Sequence, residues 1–199
     1  MTQAGRKLTF EEYASLNAED WIRLGLPEGR CEYGDGELVE LPSESELNDW
    51  IAQELFWLLA ISQIVSRRLI RPHSCEIEVP GKPRTRFPDL VILREEHLSL
   101  TQKRLLITLK MPPPQLVAEV ISPGHDNHRR DDEAKRKQYQ DRGIPEYWLI
   151  NPENQSITVL ELQNGQYVEF GIFRSNNVIQ SPLFKGLNLM ANQLFATAR

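Results

Sequence analysis

Between residues 43 and 68, in "SESELNDWIAQELFWLLAISQIVSRR", apolar side chains recur at Leu47, Ile51, Leu55, Leu58 and Leu59 while polar residues fill the other side. That spacing predicts one long amphipathic helix ending near Arg68. Elsewhere the period drops to two or the apolar run is continuous, which predicts strands. "SCEIEV" (74–79) alternates, and "TRFPDLVIL" (85–93) follows a Gly-Pro-containing turn, its strand proper beginning at Pro88. These two are expected to pair as neighbours. "QLVAEVIS" (115–122) is a short apolar strand carrying one carboxylate, Glu119.

The remaining segments complete the picture. Thr9 with Glu12 forms a capping-box pattern ahead of "FEEYASL", a short N-terminal helix. "RCEYGDGELVEL" (30–41) holds two strand-like runs around Gly34-Asp35-Gly36, a hairpin signal. Residues 94 to 114 are polar and then proline-rich, and "SPGHDNHRRDD" (122–132) is expected to be loop. "DDEAKRKQYQDRG" (131–143) is expected to be a helix closed by Gly143. "EYWLINPENQSITVLEL" suggests two strands around a Pro-Glu-Asn turn, with another near "YVEFGIF" and a short helix at "LMANQLFA". Helices and strands mixed in this order, without an internal repeat, predict an α/β (α+β) protein with a mixed sheet.

Length and composition narrow this without changing it. A chain of 199 residues with 40% hydrophobic and 26% charged residues suits one domain with a substantial core. Residues 1–30 are expected to form an N-terminal helical extension and 31–199 the core. The longest apolar run is broken by Gln53, Glu54, Ser62 and Gln63, so no membrane anchor is expected. The N-terminus lacks an apolar signal core, and two cysteines in no C-x-x-C pattern fit a cytoplasmic protein with free thiols. A net charge of −5 excludes a surface coated in positive potential, so any contact with nucleic acid must use local patches or a bound cation.

Chemistry enters through carboxylates placed inside apolar strands, where an uncompensated charge costs several kcal/mol, roughly. Glu119 is one, and Asp89, just after Pro88 at the mouth of "LVIL", is another. If the two strands lie side by side, these groups converge on one hard divalent cation such as Mg2+, which prefers oxygen ligands and keeps several waters. A plainer arrangement also fits, with Asp89 capping a turn and Glu119 paired to an arginine or facing solvent. Downstream, Lys135, Arg136 and Lys137 lie within reach of the strand's end and supply a cation able to orient a water or face a phosphorane-like charge. The pairs Asp131–Lys135 and Glu133–Lys137 equally explain a solvated helix, and spacing does not choose between them.

Three stretches together, "RFPDLVIL", "LVAEVISPG" and "NHRRDDEAKRKQYQDRGIPEYWLINP", resemble the Uma-type family of restriction endonucleases within the PD-(D/E)XK nuclease superfamily. The resemblance runs from "EYGDGELVELPS" to "LMANQLF". It implies a restriction-endonuclease-like mixed sheet flanked by helices, with the N-terminal helix and hairpin added. It assigns metal binding to Asp89 and Glu119 and implies that the backbone carbonyl of Val120 completes the coordination of Mg2+ or Mn2+. The superfamily's usual lysine stands two residues after the glutamate, where this chain has Ile121. The K-x-x-x-Y match selects Lys135, one turn before Tyr139, as its replacement, in preference to Lys137. Glu32 matches an acidic position of the family, and Asn48 stands where relatives often carry a histidine, which makes both accessory candidates along with Tyr139.

The resulting expectation is a metal-dependent DNA endonuclease, with RNA not excluded, working as a homodimer and hydrolysing a phosphodiester with a metal-activated water. The basic run "KPRTR", with Lys82, Arg84 and Arg86, directly precedes Asp89 and is a candidate phosphate-binding patch. "SRRLIR" (66–71) is a second basic patch, and solubility accounts for either. His125 and His128 with Asp126 form an H-x-x-H of metal-ligand type, but no third ligand is evident. From a different class, the competing expectation is a nuclease fold that has lost catalysis and binds nucleic acid or a partner. The acidic charge and Ile121 support it.

Overall fold

The computed structural model describes residues 7–122 and 126–196, with residues 126–131 described in their backbone only. Two short capped helices open the chain, α1 (Phe10–Ser15) and α2 (Ala18–Arg23). The predicted capping box is in place, with Thr9 Oγ1 accepting from the Glu12 amide and the Glu12 carboxylate accepting from the Thr9 amide. Strands β1 (Cys31–Gly34) and β2 (Glu37–Glu40) then form the expected hairpin. Its two-residue turn needs positive φ at both positions, and Asp35 and Gly36 supply it at 50° and 88°.

Helix α3 (Glu46–Ser62) buries Ile51, Ala52, Leu55, Leu58 and Leu59, the face the periodicity indicated. It stops at Ser62, six residues earlier than the pattern suggested. Gln63 turns left-handed at φ 58°, and the chain doubles back through a 3-10 turn at Arg67–Leu69 into strand β3 (Ile70–Pro72). The reversal has a tertiary cause, because β3 pairs antiparallel with the later strand at Leu90–Ile92.

The two stretches expected to be neighbours pair only in part, through Thr85 and Arg86, and the rest of the second stretch leaves for another sheet. β4 (Glu76–Glu78) pairs with β5 (Thr85–Arg86), while β6 (Leu90–Ile92) joins a different sheet. Pro88 stands between β5 and β6, where its missing N–H interrupts no ladder bond. The polar connection from 94 to 114 contains a single helical turn, α4 (His97–Leu100), and a short strand, β7 (Leu106–Ile107), which pairs parallel with β4.

Next come β8 (Leu116–Val120), α5 (Asp126–Arg142), β9 (Glu146–Asn151), β10 (Ser156–Gln163) and β11 (Gln166–Arg174). Helix α5 begins five residues before the expected start, since the run after Gly124 contains no further glycine or proline to hold it out of helix. Gly143, at φ +79°, ends it as predicted. The expected terminal helix is a 3-10 turn at Ala191–Leu194.

The main sheet has the order β11-β10-β9-β8-β6-β3, antiparallel except for the β8–β9 pair. That parallel pair requires a crossover, and α5 is that crossover. The core continues across the sheet through Leu90, Ile92, Val117, Trp148, Ile150 and Ile157 to the buried side of α3. A second cluster of Leu8, Phe10, Tyr13, Tyr33 and Leu106 ties the N-terminal helices to the hairpin and β7. Beneath it the buried Glu76 accepts from the Tyr13 hydroxyl at 2.5 Å and pairs with Arg104 at 2.8 Å. A buried carboxylate needs such partners, so this trio fixes α1 to the sheet. Both cysteines are buried and free. Among the described residues no helix is long and apolar enough to cross a membrane.

Candidate active site

The site grows out of the antiparallel register between β6 and β8. Leu90 lies opposite Ala118, so the next positions along, Asp89 and Glu119, are neighbours at the end of β6. Both are buried, at 6% and 4% exposure. Asp89 Oδ2 accepts a hydrogen bond from the Val120 N–H at 2.7 Å. In an extended strand the N–H and C=O of one residue leave the same edge, so the Val120 carbonyl lies on the Asp89 side. Burial, and then the neighbouring Glu119 charge, hold the Asp89 carboxyl well above the ordinary carboxylate range, while the Val120 N–H pulls the other way.

Helix α5 covers Glu119 because it is the crossover from β8 to β9. Residues four apart share one face of a helix, and Lys135 and Tyr139 both use theirs on Glu119. Lys135 Nζ is 3.0 Å from Oε2, and the Tyr139 hydroxyl donates to Oε1 at 2.6 Å. Tyr139 is fully buried, and burial followed by the Glu119 charge keeps its hydroxyl protonated far above the usual range. Lys137, two residues from Lys135, instead pairs with Asp141 in an exposed ion pair at 2.5 Å.

These groups line a cleft of about 380 Å³ whose walls include Glu32, Glu44, Arg86, Asp89, Glu119, Ser122 and Lys135. Glu32 reaches it from the hairpin, with both carboxylate oxygens 3.2 Å from Arg86 Nη1. Arg86 is itself buried, and its Nε donates to Gln138 on α5 at 2.8 Å. Asn48, buried in the first turn of α3, donates through Nδ2 to Ser122 at 2.9 Å and leaves Oδ1 without a hydrogen bond. It braces the cleft wall and is not itself among the lining residues.

The three candidate phosphate contacts have different fates. Only Arg86 lines the cleft. Arg84 is held 2.8 Å from Glu78 and lies over the Phe10 ring, beside a separate hollow. Lys82 pairs with Asp35 at the exposed tip of the hairpin. His125 and the side chains of Asp126 and His128 lie outside the described residues.

Two residues that the sequence pattern did not single out belong to the surroundings. His73, at positive φ after β3, donates its N–H to the Asp89 carbonyl at 2.9 Å. Its ring sits between carboxylates, with Nδ1 3.6 Å from Asp89 and Nε2 3.3 Å from Asp49. Burial lowers its affinity for a proton. Gln138 anchors the β4–β5 turn by donating to the Pro80 and Pro83 carbonyls while it holds Arg86. A histidine at a strand end and a glutamine on a charged helix carry no periodic signal; a lone histidine just before "SCEIEV" is the only sequence cue either offers.

Chemically, the donor set suits a hard divalent cation. Two buried carboxylates and a strand carbonyl offer oxygen donors, and the burial and like-charge repulsion that raise the Asp89 carboxyl are what a cation between them would offset. Among the described residues there is no group of three or more His, Cys, Asp or Glu side chains gathered for a metal. Coordination by two carboxylates would leave positions for water and substrate oxygens, as magnesium sites commonly do.

Comparison with known proteins agrees with this architecture. The model of the Uma2 family, described as "Putative restriction endonuclease", matches residues 10–192. Among solved structures, the chain is similar to a putative nuclease of the DUF820 group from Anabaena variabilis. The two share 17% sequence identity and a TM-score of 0.65, with 95% of this chain and 98% of that one covered. At that identity the likeness establishes the shared fold. No curated protein matches the chain.

Proposed function

The chain belongs to the Uma2 family of restriction-endonuclease-like proteins, and from that premise we propose that it is a divalent-cation-dependent DNA endonuclease acting at the Asp89–Glu119 cleft. The observation that carries this reading is the meeting of two buried carboxylates at adjoining strand positions with Lys135 on one of them.

In this reading Asp89, Glu119 and the Val120 carbonyl hold Mg2+ or Mn2+. Such an ion, when bound, lowers the pKa of water and offsets negative charge on phosphoryl oxygens. The Val120 N–H holds Asp89 and the Tyr139 hydroxyl holds Glu119, so the two carboxylates are fixed relative to each other. Lys135 presents an ammonium beside Glu119, where it would orient the attacking water and face the negative charge that develops on the phosphoryl oxygens. The water oxygen bonds to phosphorus, the bond to the leaving sugar oxygen breaks, and a phosphate monoester and a hydroxyl result. Arg86 sits on the cleft wall with its charge already engaged by Glu32, which favours a positioning role over a free phosphate contact. In this reading Lys135, whose ammonium reaches Glu119 from α5, stands in for the lysine absent at Ile121.

The test is cleavage by the purified protein. Supercoiled DNA should be nicked with Mg2+ or Mn2+ and left intact with a chelator. Single-stranded RNA run in parallel reports the substrate class, and absence of cleavage of either with both metals overturns the enzymatic reading.

A further inference from the structure

From Leu55 to Cys75 the chain has no acidic residue, although its net charge is −5. Within that stretch "SRRLIR" (66–71) gathers Arg67, Arg68 and Arg71. Elsewhere the basic side chains mostly come with a carboxylate, and Lys7, Arg23, Arg30, Arg84, Arg104 and Lys137 are each ion-paired. Among the described residues Arg67, Arg68 and Arg71 have no such partner. Arg67 and Arg68 are exposed in the 3-10 turn, and Arg71 is half-buried in β3. Three uncompensated guanidinium groups in one short run repel one another, and a chain already kept soluble by negative charge does not need them for solubility.

Strand β3 sets this run beside the cleft. It is the edge strand of the main sheet, with Arg71 opposite Val91 of β6 and the His73 N–H on the Asp89 carbonyl. Residues opposite one another share a face of a sheet, and so do residues two apart. Arg71 therefore leaves β3 on the Asp89 face, about 7 Å along the strand from the level of Asp89 and about 5 Å across, one strand over. Two nucleotides of a B-form strand rise by the same distance, about 7 Å.

The outer edge of β3 is closed to another strand. Its outward main-chain groups belong to Ile70 and Pro72. The Ile70 N–H donates to the Arg67 carbonyl, the Ile70 carbonyl accepts from Arg71 Nη1, and Pro72 has no N–H. An extended peptide finds no ladder there. What this edge offers is guanidinium donors, whose fork fits the oxygens of a phosphate.

We propose that Arg67, Arg68 and Arg71 form a backbone-contact track for duplex DNA, holding phosphates on the β3 flank of the strand that enters the Asp89–Glu119 cleft. The position of the cut strand rests on the nuclease reading, while the track is tested by binding alone. Contacts of this kind carry no base information, so the track sets affinity and not sequence preference.

Anisotropy of a labelled short duplex, titrated across a salt series without divalent cation, tests the proposal in the full chain carrying Glu119→Gln, where cleavage plays no part. Replacing all three arginines by glutamine should weaken binding about tenfold or more and flatten the slope of log K against log salt by about 0.9 for each arginine lost. The pair Arg67→Gln and Arg68→Gln, at exposed positions, should account for two of those steps and keeps the test sound if Arg71→Gln disturbs β3. Lys103→Gln, Lys110→Gln and Arg174→Gln together remove the same charge from other exposed positions, Arg174 lying on β11 at the opposite edge of the sheet, and should leave the slope unchanged. A chain that binds no duplex, arginine variants with the parent's slope, an equal loss in the control, or binding of single-stranded RNA alone overturns the proposal. Duplex binding that depends on the arginines, with no cleavage by the unmodified chain in Mg2+ or Mn2+, would remove the nuclease reading and leave the track standing.

Discussion

Asp89→Asn will lower cation-dependent cleavage by about 10³-fold while leaving the fold intact. The asparagine carbonyl keeps the shape of the carboxylate and can still accept from the Val120 N–H, so the strand junction survives. What disappears is one of two negative charges holding the cation, and a metal centre contributes several kcal/mol, roughly, of transition-state stabilisation, about tenfold in rate for each 1.4. Removing a charge that is buried and repelled by Glu119 also relieves the folded state. The melting temperature should therefore stay level or rise while the rate collapses. Initial rates of plasmid nicking, paired with thermal melting on the same preparations, check this. Cleavage within tenfold of the parent would remove Asp89 from the site.

Lys135→Met should reduce the rate by about 10²-fold, the lower range for loss of a positioned group that handles a proton or its charge. Methionine keeps the apolar stem and removes the ammonium that lies 3.0 Å from Glu119. Cation binding should be unchanged or tighter, since Glu119 loses a competing positive neighbour, and that separates a role in the chemical step from a role in building the site. Lys137→Met is the control. Its ammonium is engaged with Asp141 at the exposed surface, and such pairs are worth less than about 1 kcal/mol. It should nick DNA within about twofold of the parent. Equal loss in both lysine variants would mean that α5 contributes general positive potential rather than one placed group.

The carboxylates were readable in the sequence because each interrupts an apolar strand, where a charge demands an explanation. Asp89 and Glu119 stand out for that reason, and their register follows once β6 and β8 are paired. Lys135 was different. The i,i+4 pattern of α5 explains its lysines equally well as a solvated face, and only the family resemblance preferred Lys135 to Lys137; the fold then puts Lys135 and Tyr139 on Glu119 and turns Lys137 away. Least legible were contacts between distant segments. Arg86 meets Gln138 across 52 residues, and His73 approaches Asp49 and Asp89 from the residue after a three-residue strand too short to show any alternation. The early end of α3 had the same origin, since the demand of β6 for an antiparallel partner outweighed the local helical pattern.

Calorimetric titration of Mn2+ into the protein tests the centre of this account most directly. The parent should take up one equivalent in the cleft, and Glu119→Gln, which keeps the side chain's size and removes its charge, should take up none. A parent that binds no cation, or a Glu119→Gln variant that binds as the parent does, would contradict the assignment of Asp89 and Glu119 as the two halves of a metal site.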